Sequence, residues 1–213
     1  MKKLGLSRNI CALFLTMIFG NASERIIFPI FALVFFDAHS HLVHEEATHA
    51  IRSYWYGICM ATPSIATFMA APILSCLSDY FGRRNILILC LSGMMVSGIV
   101  TSIAILSSSI YLFIVGVFIL GLFCRTNPLA QAVIGDVTDG KDKLTYIGYV
   151  QSMIAFGAFL GPIIGGYCAH VYFDQLNFSA PFMLAALLSA IGLAVLIFFI
   201  LKKRSLIDNS NFL

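Results

Sequence analysis

Six apolar runs, each long enough to cross a bilayer, alternate along the chain with short polar connections. They cover residues 10–36, 54–77, 85–106, 110–135, 144–171 and 180–201, and about 20 apolar residues suffice for a helix to span the hydrocarbon core. Backbone polar groups have no water to bond there, so runs of this length close their hydrogen bonds within a helix. The pattern predicts an all-α membrane protein of six transmembrane helices. Residues 37–53 form the one long polar connection, which leaves no room for an inserted soluble domain.

Composition agrees. Of 213 residues, 60% are hydrophobic and 11% charged, with mean hydropathy +0.93, whereas soluble domains carry about a quarter charged residues. The net charge of +3 says less than where the cations sit. Lys2, Lys3 and Arg8 precede the first run, and Arg83 and Arg84 follow the second. Lys141 and Lys143 follow the fourth run, and Lys202, Lys203 and Arg204 follow the sixth, while the opposite connections hold Arg52 alone. Retention of cations on the cytoplasmic side then places both termini inside an inner (plasma) membrane, as a multi-pass protein. A cleaved signal peptide ending near Asn21-Ala22-Ser23 is the alternative, but the apolar run resumes at Ile26 and cleavage would strand a short stub.

Two motifs stand out. Ser75-Cys76-Leu77-Ser78-Asp79-Tyr80-Phe81-Gly82-Arg83-Arg84 is a charged turn between the second and third runs, and Gly157-Ala158-Phe159-Leu160-Gly161-Pro162-Ile163-Ile164-Gly165-Gly166 lies in the fifth. The first resembles the signature loop of the major facilitator superfamily, with Ser75 at its first glycine and Tyr80 at a usually basic position. The second resembles the fifth-helix pattern of that superfamily's drug and tetracycline proton antiporters. Asp136-Val137-Thr138-Asp139-Gly140 is similar to a loop of the same branch. The resemblance covers nearly the whole chain and is to the amino-terminal six-helix half. It implies two inverted three-helix repeats over residues 1–204, with 205–213 resembling the start of a central cytoplasmic linker, cut short.

Glu24, Arg25 and Arg125 are the charged residues deep inside the runs. Each costs a few kcal/mol or more if it faces lipid, about 3 by insertion scales, so each should face a cavity. From a helix rise of about 1.5 Å per residue, Glu24 and Arg125 differ by roughly 4–5 Å in depth. The first and fourth helices of the family line a central cavity, so a Glu24–Arg125 pair is expected at the substrate and proton-coupling site. Glu24 would be its protonatable member and Arg125 would stay charged; a static ion pair that locks packing is the alternative. Each of these two runs follows its charge with proline, Pro29 and Pro128. Gly20 and Pro29 would permit local unwinding of the first helix. Asn21 with Arg25, and Asn127 with Gln131, lie one helical turn apart and either face the cavity or bond neighbouring helices.

By the resemblance, Asp79, Gly82, Arg83 and Arg84 form a gating loop with Asp136 as a partner for Arg83. A purely topological role for its cations is the alternative. Gly157, Gly161 and Gly165, with Pro162 and Gly166, offer a smooth face for close helix packing, expected to meet the other half or another chain. The six cysteines sit singly in apolar runs, and the histidines of the long connection lack metal-type spacing.

The expected function is secondary active transport, proton-coupled export of a small molecule by alternating access, without enzymatic chemistry or a cofactor beyond an ion gradient. Metabolite/proton symport is one alternative, and an inactive truncated half or interaction subunit is another. Expected partners are the lipid bilayer, a small-molecule substrate, and a second six-helix half or a second copy, with no nucleic acid.

Overall fold

A computed structural model describes residues 2–36, 42, 48–138, 141–171 and 178–210. The described residues form seven helices: α1 (Lys2–Phe36), α2 (His49–Phe81), α3 (Arg83–Leu106), α4 (Ile110–Phe123), α5 (Thr126–Val137), α6 (Lys141–Val171) and α7 (Ala180–Ser210). Together they give six membrane spans, because α4 and α5 make one broken span over Ile110–Asp136. His39, His41 and His44 of the long connection, and Asp139 with Gly140, lie outside the described residues. The expected linker at 205–213 is helical as far as Ser210, as a continuation of α7.

Local chemistry sets the turns. α2 passes to α3 through Gly82 alone, whose φ of 88° is a left-handed value that a side chain would strain. α4 begins where the Ser109 side chain accepts the Leu112 N–H at 3.4 Å. Pro29 sits inside α1, which nevertheless continues from Lys2 to Phe36. The expected unwinding between Gly20 and Pro29 is absent: proline removes one backbone donor, and neighbours pack along α1 on both sides of it. At the far end of α1, buried Arg52 of α2 donates to the Phe35 carbonyl at 3.2 Å, placing a cation at a helix C-terminus.

α1 packs against α6 and α7, α3 against α4 and α7, and α2 against α4. Exchanging the first span with the fourth, the second with the fifth and the third with the sixth maps these pairings onto one another. That invariance is the signature of two inverted three-helix repeats. Small residues carry the equivalent contacts. A Cβ on Gly121 of α4 would strike Pro63 and Ala66 of α2, and one on Gly157 of α6 would lie 2.5 Å from the Ile18 carbonyl of α1. Gly161 and Gly165 meet Ala22, Arg25 and Ile26 in the same way. The glycine face, expected to meet another half or chain, is therefore filled by α1 of this chain. Pro162 and Gly166 lie on the exposed side of α6.

Two apolar clusters fill the bundle. One gathers Phe31, Phe35, Phe113 and Phe182, with Phe113 meeting the other three rings edge-on at 5.4–6.0 Å between centroids. The other gathers Leu13, Met17, Leu87, Ile134 and Val150. Between them lies a polar layer containing Asn21, Ser23 and Glu24. Ser23 donates to the Ala185 carbonyl and bonds Ser189, both at 2.7 Å, which ties α1 to α7. α2 and α6 bury the least of the six spans.

Candidate functional site

The fourth span breaks inside the bilayer. Cys124 (φ −76°, ψ 47°) takes an inverse γ-turn geometry, and the Arg125 N–H bonds the Phe123 carbonyl at 2.8 Å. In a continuous helix that N–H would reach Gly121, and the Cys124 carbonyl would find no donor on Pro128. After the break Pro128 stands in the first turn of α5, where its missing N–H has no intrahelical role. The freed Gly121 carbonyl accepts from the Thr67 hydroxyl of α2 at 2.8 Å. An orphaned carbonyl in lipid costs several kcal/mol, about 2–7, so Thr67 is what makes this break affordable.

Below the break, α1 is tied to α5 by a reciprocal amide pair. Asn21 donates to Asn127 at 2.8 Å, and Asn127 donates back at 3.1 Å. Asn21 also donates to the Met17 carbonyl at 2.9 Å and is fully buried. These amides hold helices together; Gln131, one turn on, is partly buried.

Glu24 lines a groove of about 430 Å³ between α1, α2 and α4, with Phe28, Phe31, Met60, Ser64, Leu120 and Cys124 among the walls. The Cys124 thiol lines the same groove, close enough to Glu24 for the two groups to interact electrostatically. The expected Glu24–Arg125 ion pair does not form: the ion pairs among the described residues do not include it. The break turns the Arg125 backbone against Cys90 of α3. Arg25, about 100° around α1 from Glu24, points elsewhere. Its guanidinium lies 5.3 Å from the Phe28 ring centroid, a cation–π distance.

At the end of the bundle carrying the Gly82 turn, Arg83 Nε lies 2.5 Å from Asp136 and Arg83 Nη2 lies 3.7 Å from Asp79. The loop motif and the end of the fourth span therefore meet. Asp136 is half-exposed, so the pair contributes about 0–1 kcal/mol. Arg84 and Asn85 line a second groove beside it, of about 370 Å³.

Sequence reasoning passed over Thr67 and Cys124. The run Cys124-Arg125-Thr126-Asn127-Pro128, polar and closed by proline inside an apolar span, was the available sign of the break. Nothing local marked Thr67, whose role depends on a carbonyl freed 54 residues away.

Six spans in two inverted repeats, with an acid in a groove at mid-bilayer and a charged turn at one end, define a transporter-type membrane bundle. Residues 13–212 match the Major Facilitator Superfamily, and the chain belongs to that family. It is 31% identical over 152 residues to the tetracycline resistance protein, class C, of Escherichia coli, covering 71% of this chain and 35% of that one. With the class B protein of the same organism it shares 28% identity over 73% of this chain and 37% of the relative. Its backbone superimposes on the proton:xylose symporter XylE with a TM-score of 0.77 at 14% identity, over 93% of this chain and 45% of that one. The chain thus spans little more than a third of the length of those two relatives.

Proposed function

We propose that this chain supplies one six-helix half of a secondary transporter that exports a small molecule by alternating access, driven by a proton gradient through Glu24. The supporting observation is Glu24 itself, an acid facing a membrane-embedded groove whose other walls are mostly apolar. A carboxylate at this depth is expensive unless it faces a cavity, and a carboxyl group that exchanges protons with such a groove couples naturally to an ion gradient. Phe28, Phe31, Met60 and Leu120 suit a substrate with an apolar body, and Glu24 suits a basic or hydrogen-bond-donating group on it. The names of the two bacterial relatives favour drug export over metabolite uptake.

A second six-helix unit completes the pathway in this reading, whether it comes from more of the same polypeptide, another chain or a second copy. It would cover the weakly buried faces of α2 and α6, where Phe68, Ile73, Phe159 and Tyr167 are exposed. Asp79, Arg83 and Asp136 then act as a gate on the cytoplasmic face; a pair this weakly held can open during exchange. The same orientation keeps both termini cytoplasmic, so a cysteine introduced at Lys143 should react with impermeant reagents from the cytoplasmic side alone. Reaction from the opposite side would invert the topology.

The test of the mechanism is Glu24→Gln, assayed in everted vesicles with the second six-helix unit co-expressed. Proton-dependent export should be lost at unchanged protein level. Unaltered coupling would remove Glu24 from the mechanism.

A further inference from the structure

The fourth span is broken at the depth where Glu24 enters the groove, and helix register decides what Glu24 meets. Asn21 pairs with Asn127, and α1 runs antiparallel to the fourth span. Three residues onward on α1 therefore lie opposite three residues back on the span. Glu24 therefore faces Cys124, and the two side chains line the same groove within electrostatic reach of each other. Cys124 is also the centre of the γ-turn, immediately before Arg125 and the first turn of α5. The N–H groups of that turn lack intrahelical acceptors, and the helix dipole favours an anion beside them.

We propose, on the footing of the proton-carrying role given to Glu24 above, that Cys124 is a positioning residue which fastens the charged Glu24 carboxylate to the broken turn of the fourth span. With Glu24 ionised, the thiol donates its S–H to a carboxylate oxygen. When Glu24 takes a proton from water in the groove, its own O–H becomes a donor and the thiol, a weak acceptor, loses its hold. The proton stays on a carboxyl oxygen and the thiol keeps its own. The charge state of Glu24 is thereby passed to a point where the fourth span changes from one helix to the next, so that a change of angle there breaks few backbone hydrogen bonds.

The surroundings leave few competitors. The ionisable groups near Glu24 are Arg25 beside it on α1, Cys124 and Arg125 at the break, Cys90 of α3 behind the break, and Cys59 in the core of α2. α6 over residues 153–166 and α7 over residues 180–198 carry none. Arg25 is occupied with Phe28.

Infrared difference spectra of the purified full chain in lipid vesicles, between alkaline and acid pH, test this without any transport assay. The protonated Glu24 band is identified by its loss in Glu24→Gln. Cys124→Ala should displace that band and its pH profile, and Cys124→Ser, which keeps a donor in place, should return both toward wild type. The serine variant also guards against a folding defect in the alanine one. A Glu24 band with the same frequency and pH profile in all three proteins overturns the role of Cys124 while leaving the proton carrier standing. No Glu24 band at any pH sinks both.

Discussion

Replacing Gly157 with alanine tests whether α6 is held to α1 by direct backbone contact. The new Cβ would lie 2.5 Å from the Ile18 carbonyl oxygen and 3.0 Å from Asn21 Cβ. Ordinary contact begins at 3.4 Å, so the helices must separate by about 0.9 Å, enough to forfeit a quarter to a half of each van der Waals well along the seam. Overpacking of this kind costs about 1–3 kcal/mol. Alanine also gains about 1 kcal/mol of helix propensity over glycine, so the proper reference is Gly166→Ala, on the same helix with nothing within 4 Å of its new Cβ. Reversible unfolding of the purified chain in mixed detergent micelles should place Gly157→Ala below Gly166→Ala by about 1–3 kcal/mol, a factor of about 5 to 140 in the equilibrium constant. Adding Gly161→Ala should cost less than it does alone, because a seam already opened meets the second Cβ with less strain. Equal stabilities for the Gly157 and Gly166 variants would refute close contact between α1 and α6, and with it the repeat symmetry built on that contact.

Two further outcomes follow from the polar contacts. Asn21→Leu or Asn127→Leu alone strands the partner amide in the bilayer and should destabilise by about 1–3 kcal/mol, while the double variant should lose less than the sum; strictly additive losses in the same unfolding assay would show that the amides are not paired. At the Gly82 end, a double-mutant cycle on Arg83 and Asp136 should give a coupling of about 0.2–1 kcal/mol that shrinks with added salt, and a coupling insensitive to salt would mean that the pair is far more buried than its geometry indicates.

The sequence alone determined what depends on sums along the chain. Hydropathy over a window is a one-dimensional transfer free energy, so the six spans were legible to within a few residues. Helical fold and repeat organisation followed from motif and span count. Depth was legible too: Glu24 and the break around Arg125 do lie at neighbouring levels, since each residue adds a fixed rise. The meeting of Arg83 with Asp136 was also within reach, because both stand at the same end of short-connected helices.

What only the tertiary structure decided is azimuth and continuity. Each residue turns a helix by about 100°, so a small error in rotation carries a side chain from one neighbour to the next. Matched depth therefore did not bring Arg125 to Glu24; the γ-turn at Cys124 put a thiol there instead. Proline gave no guide by itself. At Pro29 the helix continues, while near Pro128 it breaks, because there Thr67 of α2 is placed to satisfy the Gly121 carbonyl that the break releases. The glycine face likewise announced close packing but not its partner, and that partner proved to be α1 of the same chain. Partner choice is a property of the assembled bundle, where one helix's gap is filled by another's backbone, and no local pattern encodes it.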